Sequence, residues 1–205
     1  QARGDKIPDA ALGSRSKDPP MADSVPTFSH MALVALLKDK LTHVVTQNVD
    51  CLHRRSGVPA SRLSELHGNI CMELCESCGT EYIRSFEIET LSRNPTGRQC
   101  AHCDGVLRDC LLDWNDELEP SIFERAHHES EIADLHLCIG TSMQMSPAAQ
   151  LPFASKKAHR DPPKVVILNL QKTSQDFRAD LVIHAKSDVV IGKVMECLGI
   201  AVPEF

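Results

Sequence analysis

The chain has 205 residues, 42% of them apolar but only 4% aromatic, and carries a formal charge of −6. That length is enough for one good-sized domain, or one domain with a small insertion, around a core that must be built from Val, Ile, Leu and Met. The acidic balance excludes a strongly basic nucleic-acid binder, no apolar run approaches the length of a membrane-spanning helix, and the opening QARGDKIPDA lacks the apolar stretch of a secretory signal.

Residues 1–25 are polar, carry Pro8, Pro19 and Pro20, and show no sustained period, so a flexible or atypical N-terminal segment is expected. Order is expected from Pro26-Thr27, because Met31, Val34, Ala35 and Leu37 recur at helical spacing and Thr27 or Ser29 can cap the helix. Leu41 to Thr46 is a short β-branched run, hence a strand, and ends abruptly in Gln47, Asn48 and Asp50. Ala60 to Leu66 reads as a short helix ending near Gly68. Ile70–Leu74, Glu81–Phe86 and Leu107–Leu112 read as short strands around paired cysteines. Ser121 is placed as the cap of a helix to about Ala133. Leu135–Gly140, Val165–Leu170 and Leu181–His184 read as strands buried on both faces, as in a parallel sheet. A closing helix follows from Asp188 to Leu198, with Val189, Gly192, Val194 and Leu198 as its inner face.

Three of these strands end in polar or small clusters: Thr46-Gln47-Asn48, Gly140-Thr141-Ser142 and Asn169-Leu170-Gln171. Open α/β sheets bind ligands outside the carboxyl ends of their strands, so three such clusters are compatible with one shared crevice. Ordinary loop polarity is the other reading.

The cysteines carry a sharper signal. Four of nine form two C-x2-C pairs, Cys75/Cys78 and Cys100/Cys103, with 21 residues between them. Each pair places two thiolates on one tight knuckle, Gly79 and Gly105 follow the pairs, and two knuckles complete a tetrahedral zinc shell with no open position. One structural zinc is expected, holding a module too small to stabilise itself. His102 lies between two ligands and reads as a surface residue. Cys51, Cys71, Cys110, Cys138 and Cys197 are scattered, which indicates a reducing compartment rather than a disulfide framework.

Thr46-Gln47-Asn48-Val49-Asp50, then Leu52-His53, Arg55-Ser56-Gly57 and Glu65-Leu66-His67-Gly68-Asn69, followed by the two cysteine pairs, resemble the core of the sirtuins, NAD-dependent protein deacylases. Gly140-Thr141-Ser142 and Val166 to Gln171 are similar to that family's later NAD-binding strands. Pro26-Thr27 with His30 to Val34, and Leu107-Arg108-Asp109 with Leu112-Asp113-Trp114, resemble its nuclear, chromatin-acting class IV branch. The resemblance spans about residues 26–203. It implies an α/β fold: an incomplete Rossmann-like parallel sheet over 26–69 and 107–205, with a zinc-binding module inserted at 70–106. By resemblance His67 is the general base, and Gln47, Asn48 and Asp50 line the nicotinamide and ribose region. Gly140, Thr141 and Ser142 contact ribose and phosphate, while Asn169, Gln171 and Ser187 hold the adenosine end. Trp114 lies beside the channel for an acyl-lysine peptide, such as a histone tail. A nuclear location follows from the resemblance alone, with cytoplasm as the other possibility. The basic cluster Lys156-Lys157 with Arg160 is too thin to be a localisation signal.

The sequence also departs from the family pattern. Sirtuins open with a glycine-rich phosphate loop, G-A-G-x-S, and then G-I-P-D-F-R. These 205 residues contain no glycine-rich loop before residue 46, and Ile7-Pro8-Asp9 is followed by Ala10-Ala11. Such a loop normally cradles the pyrophosphate. Cys51 stands where the family has Gly, which predicts about 1–2 kcal/mol of strain if that position needs a positive φ. Lys186-Ser187 replace an aromatic and aliphatic pair expected over the adenine. Two readings therefore compete: a deacylase, and a catalytically impaired fragment acting as a zinc-stabilised binding module. A nucleic-acid zinc ribbon is disfavoured, because Arg84, Arg93 and Arg98 face Glu73, Glu76, Glu81, Glu87, Glu89 and Asp104 within 70–106.

Overall fold

Helix α1 (Phe28–Leu36) begins the main body of the computed structural model, which describes residues 21–154 and 162–205. The readings at Ile7-Pro8-Asp9 and at Lys156-Lys157-Arg160 lie outside the described residues. Thr27 is extended, as an N-cap must be, and its N–H donates to His30 Nδ1 at 3.2 Å, the return half of a capping box.

Helix α1 has two apolar faces. Ala32, Ala35 and Leu36 pack on Leu168, Ile191 and Met195, while Val34 and Leu37 pack on Val44, Val58 and Leu63. It therefore bridges two parallel sheets. The first contains β1 (Val44–Thr46) and β2 (Leu63–Glu65), paired so that Thr46 faces Glu65. Strand β2 corrects the helix expected at Ala60–Leu66: only Ala60–Arg62 turns, and Leu63 extends. The strand wins because pairing with β1 buries Leu63, Ser64 and Glu65 together, which a single helical turn would not. Between β1 and β2 lies the short helix α2 (Leu52–Arg55).

Strands β3 (Met72–Cys75), β4 (Glu81–Ile83), β5 (Pro95–Gln99) and β6 (Val106–Asp109) form an antiparallel sheet in the order β4-β3-β6-β5. Strand β5 is invisible to propensity, since it holds Pro95 and Gly97. It is tolerated because it lies at the sheet edge, with an irregular register. Glu73 in the centre of this sheet is 0% exposed, and it accepts from Arg84 Nε at 2.6 Å and Arg98 Nε at 2.7 Å. This buried carboxylate ties the residue after β4 and the one near the end of β5 to β3, with two charge-assisted hydrogen bonds offsetting its desolvation.

Helix α3 (Pro120–Ile132) starts at an extended Glu119 with Pro120 in its first turn, so Ser121 is inside the helix and is not its cap. Its fully buried Ala126 packs on Leu66 and Leu151. Strands β7 (Leu135–Ile139), β8 (Lys164–Leu168) and β9 (Leu181–Ile183) form the second parallel sheet, in that order. Burial on both faces holds only for the central strand. Leu135 and Leu137 on β7 remain 57% and 40% exposed, and Leu181 on β9 is also exposed. Helix α4 (Ser187–Leu198) buries Ile191 and Met195, four residues apart, whereas Val189, Val194 and Leu198 are exposed. The expected inner face is thus rotated. The real stripe is the one that meets Ala32 and Leu36 of α1. No helix among the described residues is long and apolar enough to cross a membrane.

Candidate active site and metal centre

The carboxyl ends of β1 and β2 deliver Gln47 and His67 to the same place. Register does this: Thr46 lies opposite Glu65, and Leu66 N donates to Thr46 O at 2.9 Å. The Gln47 amide nitrogen then stands 3.2 Å from His67 Nε2. The imidazole tautomer sets which of the two groups donates in this contact. Burial pushes the His67 pKa down, so the imidazole is neutral near pH 7.

Two backbone features hold His67 in place. Gly68 has φ +80°, and a Cβ there would lie 1.6 Å from Cys110 O. Leu112 N donates to His67 O at 3.1 Å, so the irregular segment leaving the antiparallel sheet braces the histidine. Asn69, fully buried, donates to Glu65 Oε1 at 2.7 Å and accepts from Cys71 N at 2.9 Å. Glu65 in turn faces Arg54 Nε at 3.4 Å. Arg54 also pairs with Glu81 of β4, linking the parallel pair to the antiparallel sheet.

The loop after β1 is turned by Asp50 and Cys51. Asp50 Oδ1 accepts from Leu52 N at 3.0 Å, a turn bond two residues on that leads into α2, so this carboxylate has a structural partner. Asn48 is exposed and its N–H is held by Thr46 Oγ1 at 3.0 Å. Cys51 has φ 66°, the left-handed conformation in which a glycine is unstrained, and its thiol is buried. The strain expected from a non-glycine residue here is therefore present.

His53 and His30 pack beside this loop with their rings tilted 55° and centroids 4.8 Å apart, a contact that sequence inspection missed. Burial lowers the His53 pKa to about 4, with the neighbouring His30 acting in the same direction. An imidazole neutral in the fold but protonated when unfolded makes stability fall with acidity: the contribution is complete above the unfolded value near 6.5 and is lost as pH falls toward 4. Urea unfolding at pH 7.5 and pH 5 is expected to show wild type losing about 2 kcal/mol more than His53→Gln over that interval. Equal losses would show that His53 is not held neutral.

The second sheet carries the other group. Gly140 directly follows β7 with φ 61°, its N–H donates to Leu168 O at 2.9 Å, and nothing lies within 4 Å of where a Cβ would be. Open space over an exposed backbone is what close approach by a ligand requires. Thr141 Oγ1 accepts from Met143 N at 3.2 Å, and Ser142 is exposed. Asn169 follows β8 and turns its amide onto Gln171 O at 2.9 Å. Ser187 is the first residue of α4. Gly140, Asn169 and Ser187 thus share the carboxyl end of the three-stranded sheet, while Gln47 and His67 share that of the β1–β2 pair. Trp114 is 86% exposed on the loop after β6, available to a partner molecule and not packed as an anchor.

Cys75, Cys78, Cys100 and Cys103 bring their four Sγ atoms within 4.8 Å of one another. Cys75 and Cys103 are 3.5 Å apart, and Cys78 and Cys100 are 3.6 Å apart. A tetrahedron with Zn–S near 2.3 Å requires about 3.8 Å between sulfurs, so the donor set fits the ion. His102 is exposed, as expected, although its N–H points at Cys100 Sγ at 3.4 Å.

Residues 12–147 match the family model described as the Sir2 family. The chain is 44% identical over 208 residues to the NAD-dependent protein deacetylase SRT1 of Arabidopsis thaliana, in an alignment covering 100% of this chain and 42% of that protein. It therefore spans less than half the length of that relative. Among solved structures it is similar to a Sir2 bound to acetylated peptide, with 28% identity and a TM-score of 0.68 over 88% of this chain and 74% of that one. It is also similar to a Sir2 homologue in complex with NAD, with 27% identity and a TM-score of 0.68 over 87% and 67%.

Proposed function

Because this chain belongs to the Sir2 family, we propose that it is an NAD-dependent protein-lysine deacylase acting on an acyl-lysine peptide. The observation that carries this reading is the convergence of Gln47 and His67, 3.2 Å apart, at the carboxyl ends of two parallel strands. NAD, when bound, supplies the ribose that receives the acyl group. His67 is the general base: burial favours its neutral imidazole, whose unprotonated ring nitrogen takes a proton from a ribose hydroxyl. Asn48, Asp50 and Gln47 line the nicotinamide and ribose region. Gly140, Thr141 and Ser142 bind ribose and phosphate through exposed backbone and hydroxyls, and Asn169, Gln171 and Ser187 hold the adenosine end.

In this reading residues 70–106 form a module with one structural zinc on the four cysteines, inserted between 26–69 and 107–205. Trp114 meets the acyl-lysine peptide, which docks between the two parts as an added strand. A histone tail and a nuclear location are the substrate and compartment proposed.

One feature favours a second reading, a zinc-stabilised binding module that does not turn over: among the described residues, β1 and β7 each pair with one strand only, which leaves an edge to which another chain could add. The test is incubation of the chain with NAD and an acetylated histone peptide, reading deacetylated peptide and acyl-ADP-ribose by mass spectrometry. Product is expected from wild type, with a loss of at least about 10²-fold in His67→Ala. Zinc-loaded protein that yields no NAD-dependent product would favour the binding module.

A further inference from the structure

We propose that the segment carrying β4 tunes the metal centre through two hydroxyls, Thr80 donating to Cys78 and Tyr82 donating to Cys100. This rests on the reading that the four cysteines hold zinc. Thr80 and Tyr82 are two residues apart in extended chain, so their side chains leave the same face. Thr80 Oγ1 is 3.1 Å from Cys78 Sγ and the Tyr82 hydroxyl is 3.2 Å from Cys100 Sγ. One hydroxyl therefore reaches each knuckle.

The direction of both bonds follows from chemistry. A zinc-bound cysteine is a thiolate with no proton, so each hydroxyl must be the donor. For Tyr82 the geometry agrees, because its oxygen already accepts from Ala101 N at 2.9 Å and its own proton is free to point at sulfur. Four thiolates around a divalent ion leave two negative charges, and hydrogen bonds to charged acceptors are the strong ones. The donors withdraw charge from the ligands and fix their orientation, as outer-shell partners of metal sites do.

Tyr82 is itself held. The Arg84 guanidinium carbon lies 4.8 Å from the ring centroid, and Arg84 is anchored by the fully buried Glu73. A cation over the ring strengthens the phenol as a donor. Glu73, Arg84, Tyr82 and Cys100 thus form a continuous path from the sheet interior to the metal.

The test uses the whole chain and its Tyr82→Phe and Thr80→Val variants, each of which removes a hydroxyl and keeps the shape. Zinc content is measured first, then the rate of zinc transfer to a chromogenic chelator, then the sulfur-to-metal absorption of the cobalt-substituted proteins. Each variant is expected to release zinc on the order of 10-fold faster, and its charge-transfer band is expected to move to lower energy as the thiolate becomes the better electron donor. Faster release with an unmoved band would reduce the residues to a packing role and overturn the proposal. Unchanged rates and bands in zinc-loaded protein would overturn it too, leaving the metal reading intact. Wild-type protein that binds no zinc would overturn the metal reading and this proposal with it.

Discussion

Gly68→Ala is expected to cost about 4 kcal/mol or more and to remove any activity that depends on His67. Two effects add. The residue sits at φ +80°, where a side chain costs about 1–2 kcal/mol. The larger effect is steric, since the new Cβ would meet Cys110 O at 1.6 Å, backbone against backbone, with no flexible side chain to yield. Either the loop bearing His67 or the segment after β6 must move by more than an ångström, and a displacement of that size at a catalytic group costs on the order of 10²-fold in rate. Gly140→Ala is the control. Its φ of 61° is also left-handed, but nothing lies within 4 Å of the added carbon, so only the conformational cost of about 1–2 kcal/mol is expected. Urea unfolding of both variants separates the two effects. A Gly68→Ala protein within about 1 kcal/mol of wild type would show that the contact with Cys110 is not rigid.

Removing the metal is expected to unfold the antiparallel sheet and, through it, to loosen the site. The apolar core between the knuckles consists of Cys75, Cys100 and Leu107, with Tyr82 at its edge, and two of those residues belong to the four-cysteine cluster. Structural zinc contributes about 10–16 kcal/mol of apparent binding free energy in small domains, far more than so few buried side chains supply. The damage should reach residues outside the module, because Leu112 N braces His67 O at 3.1 Å and Glu81 of β4 pairs with Arg54 behind Glu65. Hydrogen exchange before and after chelation measures this. Protection is expected to collapse over residues 72–109 and to fall at Leu66 to Asn69, while Val165–Leu168 and Ile191–Met195 keep theirs. Unchanged protection over 72–109 in metal-free protein would show that the sheet stands without the ion.

The four-cysteine cluster was legible in the residues because it is a local pattern: two short knuckles carry their own geometry, and only the distance between them is left to the fold. His67 and Gln47 were legible through motif resemblance. Their meeting depends on β2 being a strand, and residues 60–66 read by themselves as a helix. The hydroxyls of Thr80 and Tyr82 went unremarked for a similar reason. Nothing in a strand's sequence says that its same-face neighbours look toward a metal.

What the sequence by itself determined is the set of parts: a Val, Ile, Leu and Met core, one four-cysteine site, polar groups after the strands, and a first helix α1 capped at Thr27 or Ser29. These follow from composition, spacing and local backbone chemistry, which act over a few residues. Tertiary structure alone decided which face of α4 is inner, which parallel strand is buried on both sides, that β5 is a strand at all, and that Cys51 must take a left-handed turn. Each of these depends on what packs against the segment from elsewhere in the chain. Ile191 and Met195 are inside because α1 is there, and Leu135 stays exposed because nothing among the described residues covers that side of β7.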